Sequence, residues 1–170
     1  MKTNDLTLSA ILIAVGIILP MLTHFIAAGN IILPMHIPIL VAGLTLRPKY
    51  AIIVGGLTPI LSSALTGMPV VFPMLPIMFF ELIAYAVTAS ILKTRTKINI
   101  YFILLVSLIV GRVVAAIVVQ TLIIGFDANF PSTLLYIKGA ISIGIPGLII
   151  QFLFVPPLTI AIEKFLKKRY

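Results

Sequence analysis

Runs of apolar residues, interrupted by Pro, Gly and small clusters of charge, divide the chain into six segments. They lie near residues 6–24, 37–47, 50–66, 74–92, 98–124 and 134–162. A helix needs about 20 residues to cross a bilayer, and five of the runs approach or exceed that length. The run at 37–47 has about half of it, so it is expected to include part of the preceding loop or to cross incompletely. The pattern predicts an all-α membrane protein of six transmembrane helices. Residues 1–170 form a single integral membrane domain, because the loops, about ten residues at most, leave no room for a soluble one.

Composition strengthens this reading. Of 170 residues, 61% are hydrophobic and only 9% charged, with a mean hydropathy of +1.27. A water-soluble domain cannot cover its surface with so few charges. The absence of cysteine excludes disulfides, zinc–thiolate sites and thiol catalysis. The first run, Leu6–Leu22, is longer than a usual signal core, and Ile26-Ala27-Ala28 is a poor cleavage site. It is expected to be a mature helix.

Charge sets the expected orientation. Lys2, Arg47, Lys49, Lys93, Arg95, Lys97, Lys164, Lys167, Lys168 and Arg169 all fall at alternate ends of a six-helix path. That places ten of the twelve basic residues on one side, whereas the opposite loops carry only Asp127 and the two histidines. By the positive-inside rule both termini face the cytoplasm of a multi-pass plasma-membrane protein. The net charge of +8 is then a topology signal, not a footprint for nucleic acid.

Three charged residues, Glu81, Arg112 and Lys138, lie inside apolar runs. Glu81 lies about 10 Å inside the outer end of its helix, Lys138 nearer that end, and Arg112 near the bilayer middle. Buried opposite charges can pair simply to offset desolvation. Intramembrane ionisable residues are nonetheless functional-site candidates, and this set sums to one positive charge, which an anionic ligand would match. The outer loops Ala28–Pro38 and Thr66–Pro76 each contain a Pro-Met step followed by another Pro. Prolines fix φ and suit a helix's first turn, so these loops are stiff enough to cap a cavity or to lie along the interface. His24 and His36 lack the partners of a metal site. Lys138 and Ser142 are four apart, as in a Ser–Lys dyad, a spacing that arises easily by chance. Ala10 and Ala14, one turn apart in the first helix, form a small-residue stripe that lets another helix approach closely, within this chain or outside it.

Several stretches together resemble a known family. They are AILIA in the first helix, PMHIPILVAGL, GGLTPILSSALTGMPVVFPMLPIMFFELIAYA, GRVVAAI and KGAISIGIPGLIIQFLFVP. Taken together they are similar to the substrate-binding S components of energy-coupling factor (ECF) transporters, in the general vitamin-uptake branch. The resemblance implies a chain that binds one water-soluble vitamin or precursor from outside. Its partners would be a transmembrane coupling subunit and two ATP-binding subunits, which alone use ATP; this chain needs no cofactor or metal. It implies docking on the coupling subunit through Ala10 and Ala14. By region, it places the ligand at His36, Pro69, Glu81, Arg112 and Lys138, with Asn129 and Gln151 as further candidates. Relatives in this branch take pantothenate, hydroxymethylpyrimidine or pyridoxine-like ligands, and the positive buried set favours a carboxylate such as pantothenate. The competing class is a membrane-embedded enzyme acting on a lipid or peptide through Glu81, Lys138 or Ser142.

Overall fold

The computed structural model describes residues 2–24, 33–126 and 132–168, and those residues are helical apart from short turns. In chain order the helices are α1 (Lys2–His24), α2 (His36–Thr45), α3 (Pro48–Thr66), α4 (Met74–Arg95), α5 (Ile100–Phe126) and α6 (Thr133–Lys168). Five of them are long and apolar enough to cross a membrane, with Gly144–Leu166 as the stretch in α6.

Local chemistry sets several helix ends. Arg47 is extended (φ −66°, ψ 152°), as a residue before proline prefers, and Pro48 opens α3. Gly67 closes α3 in the left-handed region (φ 74°), its N–H donating to the Ser63 carbonyl at 2.9 Å. Asn99 accepts from the Tyr101 N–H at 3.0 Å, and Ser132 Oγ from the Leu135 N–H at 3.2 Å, capping α5 and α6.

The short second element is the hub of the bundle. Eight of the ten residues of α2 are buried, and it packs on α1, α3, α4 and α6. At about 15 Å it cannot span a bilayer alone, but a helix enclosed by its neighbours needs no lipid-matching length. Around it, α1 lies on α3, α3 on α4, α4 on α5, and α5 on α6. A Cβ added to Gly43 of α2 would lie 2.7 Å from the Ala86 carbonyl oxygen and 2.8 Å from the Ala89 Cβ of α4. The missing side chain is therefore what lets these two backbones approach. The core includes Leu12, Ile39, Leu40, Val54, Leu82 and Tyr85. Conversely, Ile109, Val113, Ile117 and Ile124 of α5 are each more than half exposed, an apolar outer surface suited to lipid.

The bundle has two unlike ends. Arg47 pairs with Asp5 at 2.6 Å, Lys93 pairs with Glu163 at 3.1 Å, and Ser90 Oγ donates to the Leu46 carbonyl at 2.6 Å. These contacts gather the basic clusters at one end. At the other end the Phe72 and Phe126 rings lie 6.5 Å apart, and Thr133 Oγ1 donates to Gln120 Oε1 at 2.5 Å.

Candidate functional site

Glu81 and Arg112 find each other. Glu81 stands on α4 and Arg112 on the adjoining α5, and Arg112 Nη1 lies 2.9 Å from Glu81 Oε1. The same carboxylate oxygen accepts from the Tyr85 hydroxyl at 2.5 Å. Tyr85 follows Glu81 by four residues, so the two share a helix face. A Cβ on Gly111 would collide with the Tyr85 ring, and the glycine therefore gives that ring its place against α5. Glu81 is almost fully enclosed, with 4% of its side chain exposed, whereas 20% of the Arg112 side chain remains accessible. Part of the Arg112 side chain is thus accessible although the residue sits midway along its helix.

His36 borders this pair. Its ring is tilted against Tyr85 with centroids 5.4 Å apart, and it is buried with neither ring nitrogen hydrogen-bonded among the described residues. The backbone just before it is unusual. Leu33 has φ 50°, left-handed for a residue with a side chain, and its carbonyl accepts the His36 N–H at 3.1 Å. Leu33 Cδ1 would lie 3.5 Å, and Arg112 Nη2 3.7 Å, from a Cβ placed on Gly144 of α6. Leu33, His36, Glu81, Tyr85, Arg112 and Gly144 thus converge at one level of the bundle. Tyr136, on the first turns of α6, lies within the electrostatic reach of both Glu81 and Arg112.

Other residues singled out from sequence lie elsewhere. Gln151 is fully buried with both amide atoms unpartnered among the described residues. It follows Gly144 by seven residues, about 10 Å deeper along α6. Lys138 and Ser142 are both exposed on α6. The buried charge is therefore that of Glu81 and Arg112, which cancel, and the expected positive excess is not there. Pro69 is buried against α3, where Ser63 Oγ donates to its carbonyl and Ser62 Oγ to that of Met68, each at 2.7 Å. Asn129 lies outside the described residues. On α1, Ser9, Leu12 and Gly16 face the bundle, while Ala10 and Ala14 are exposed on the outward side.

Sequence reading passed over Tyr85, Leu33 and Gly144. Only Tyr85 carried a signal, its four-residue spacing from an intramembrane carboxylate. Apolar grooves among the described residues include two whose linings share no residue with the polar cluster. One of about 710 Å³ lies between α4 and α5, lined by Phe72, Phe80 and Phe126 among others. The other, about 420 Å³, is lined by Tyr101 and residues of α6 such as Ile145 and Phe152. Their walls suit acyl chains, not a water-soluble ligand.

Compared with known proteins, residues 4–159 match a family described as ECF transporter, substrate-specific component. No curated protein and no solved structure matches the chain.

Proposed function

Since this chain belongs to the substrate-specific components of ECF transporters, we propose that it captures one water-soluble vitamin or vitamin precursor outside the cell and delivers it through a shared module. Membership makes it a transporter subunit, not an enzyme, and associates it with an energy-coupling module. That module would comprise a transmembrane coupling subunit and two subunits that hydrolyse ATP. This chain itself would hold neither cofactor nor metal.

The observation that carries the reading is the polar cluster inside an apolar bundle. A carboxylate, a guanidinium, a phenol and an imidazole with two idle nitrogens meet where α2, α4, α5 and α6 converge. Unsatisfied polar groups are costly in hydrocarbon, and membrane proteins keep them chiefly where a ligand uses them. His36, Glu81 and Arg112 are the proposed contacts, supported by Tyr85, with Gln151 reached only by a longer ligand. Pantothenate, hydroxymethylpyrimidine and pyridoxine-like compounds are the candidate ligands. The enzymatic alternative finds no matching geometry, since Glu81 is closed in an ion pair and Lys138 and Ser142 are exposed.

Orientation follows from charge. Counting α2 as a sixth crossing held inside the bundle, the end that carries the basic clusters would be cytoplasmic, together with both termini. The polar cluster then lies toward the outer half of the plasma membrane. Ala10 and Ala14, facing outward from α1, would meet the coupling subunit. Uptake of labelled candidate vitamins into vesicles holding this chain and a coupling module tests the proposal. Uptake should require ATP, the module and this chain together; uptake without the module, or turnover of a substrate by the isolated chain, would refute it.

A further inference from the structure

The geometry of the cluster points to the charge class of the ligand, an inference that rests on the vitamin-binding reading above. We propose that the site takes an uncharged group with a hydrogen-bond donor beside an acceptor, such as an amino-substituted nitrogen heterocycle, and not a carboxylate. This group would sit beside His36 and the partly accessible Arg112 side chain, next to Gly144.

The first support is charge balance. Glu81 and Arg112 are in direct contact, and Lys138, the remaining cation of the apolar segments, is exposed. A carboxylate ligand would turn a neutral buried set into one with two anions sharing a single guanidinium. Buried charge is tolerated when it is paired and hydrogen-bonded, and the added anion would not be. An uncharged ligand leaves the pair intact and still finds spare N–H donors on Arg112, since a guanidinium carries five.

The second support is the imidazole. A neutral histidine presents one donor and one acceptor, and both nitrogens of His36 are buried without a hydrogen-bond partner among the described residues. Their complement is a ligand group that itself both accepts and donates. A carboxylate only accepts and would leave the acceptor nitrogen of His36 unsatisfied.

The third support is room and access. Gly144 of α6 lies beside Arg112 Nη2, and a Cβ there would meet only ordinary contacts, Leu33 Cδ1 at 3.5 Å and the guanidinium at 3.7 Å. A methyl group is therefore accommodated, but a long side chain would fill the approach to Arg112. Leu33 covers the same point and holds a left-handed backbone (φ 50°), a conformation found at ligand clamps. Gly144 and Leu33 are then the residues that set what size of group enters.

The test is calorimetry on the purified full-length chain at mildly alkaline pH, with hydroxymethylpyrimidine as the uncharged probe and pantothenate as the carboxylate. The uncharged probe should bind and pantothenate should not. Gly144→Leu and His36→Phe should each weaken binding of the uncharged probe by about tenfold or more, with an unchanged size-exclusion profile. Binding of pantothenate, binding of neither probe, or wild-type affinity in both variants overturns the inference. Co-purification with the coupling subunit is measured on the same preparations. If docking persists while the probe pattern is wrong, only the ligand class falls; if docking is absent, the transporter reading falls with it.

Discussion

Removing Arg112 strands a carboxylate that has almost no access to water. In Arg112→Met, Glu81 keeps the Tyr85 hydroxyl at 2.5 Å but loses the guanidinium at 2.9 Å. Breaking a buried pair from one side costs about 3–5 kcal/mol. The Arg112 side chain is 20% accessible, so the pair is not wholly desolvated and the lower end applies, about 3 kcal/mol. Glu81→Gln is milder. The amide oxygen can still accept from Tyr85, and the Arg112 side chain left behind is partly accessible, so about 1 kcal/mol is expected. The double variant buries no charge. It should cost about 2 kcal/mol, half the sum of the singles, which is a coupling of about 2 kcal/mol. At about 2–4 °C per kcal/mol for a chain of this size, Arg112→Met should lower the apparent midpoint by about 6–12 °C and the double variant by less. The chain contains neither Trp nor Cys, so indole fluorescence and thiol-reactive dyes are excluded. Folded protein remaining after heating is instead read by size-exclusion chromatography. If the double variant loses as much as the two singles together, the charges are solvated independently and the cluster is not organised by this pair.

Three further outcomes follow from named contacts. Ala14→Trp, on the outward side of α1, should abolish ATP-dependent uptake and co-purification with the coupling subunit while ligand affinity stays within about threefold; joint loss of binding would make that stripe internal packing. Gly43→Val drives side-chain atoms into Ala86 and Ala89 and should cost about 3 kcal/mol or more in folded yield and midpoint, whereas Gly139→Ala, with nothing within 4 Å, should be neutral or slightly stabilising. Ser62→Ala with Ser63→Ala removes two of the three hydroxyls that hold the carbonyls of Met68 and Pro69, leaving that of Thr66, so amide exchange in residues 67–73 should accelerate while that of α4 and α5 does not, each bond contributing about 1 kcal/mol.

The apolar runs locate the helices to within about six residues because charge clusters, glycine and the prolines at helix starts mark the ends, although Pro20, Pro59, Pro146, Pro156 and Pro157 lie inside helices. They also expose the short run at 37–47, whose shortness the structure explains by enclosure of α2 within the bundle. The pairing of Glu81 with Arg112 is legible too, since opposite charges inside apolar runs have few other means of satisfaction. What stays hidden is the face that each residue presents. In a water-soluble helix polar residues mark the outside, but in a membrane bundle lipid and core are equally apolar and the periodicity carries little information. Depth along the helix could therefore be counted for Lys138 and Gln151, yet not that the first is exposed and the second enclosed. For the same reason Gly144 looks like an ordinary packing glycine until Arg112 and Leu33 are seen beside it.

The central claim is that an enclosed polar cluster in this bundle holds a small water-soluble molecule without transforming it. Mass spectrometry of what is released on denaturing the freshly purified chain tests that most directly. The expected result is one vitamin-sized compound, near one per chain in the wild type and depleted in Arg112→Met and Gly144→Leu. A released lipid or peptide product, or the same compound in equal amount from all three proteins, would contradict it.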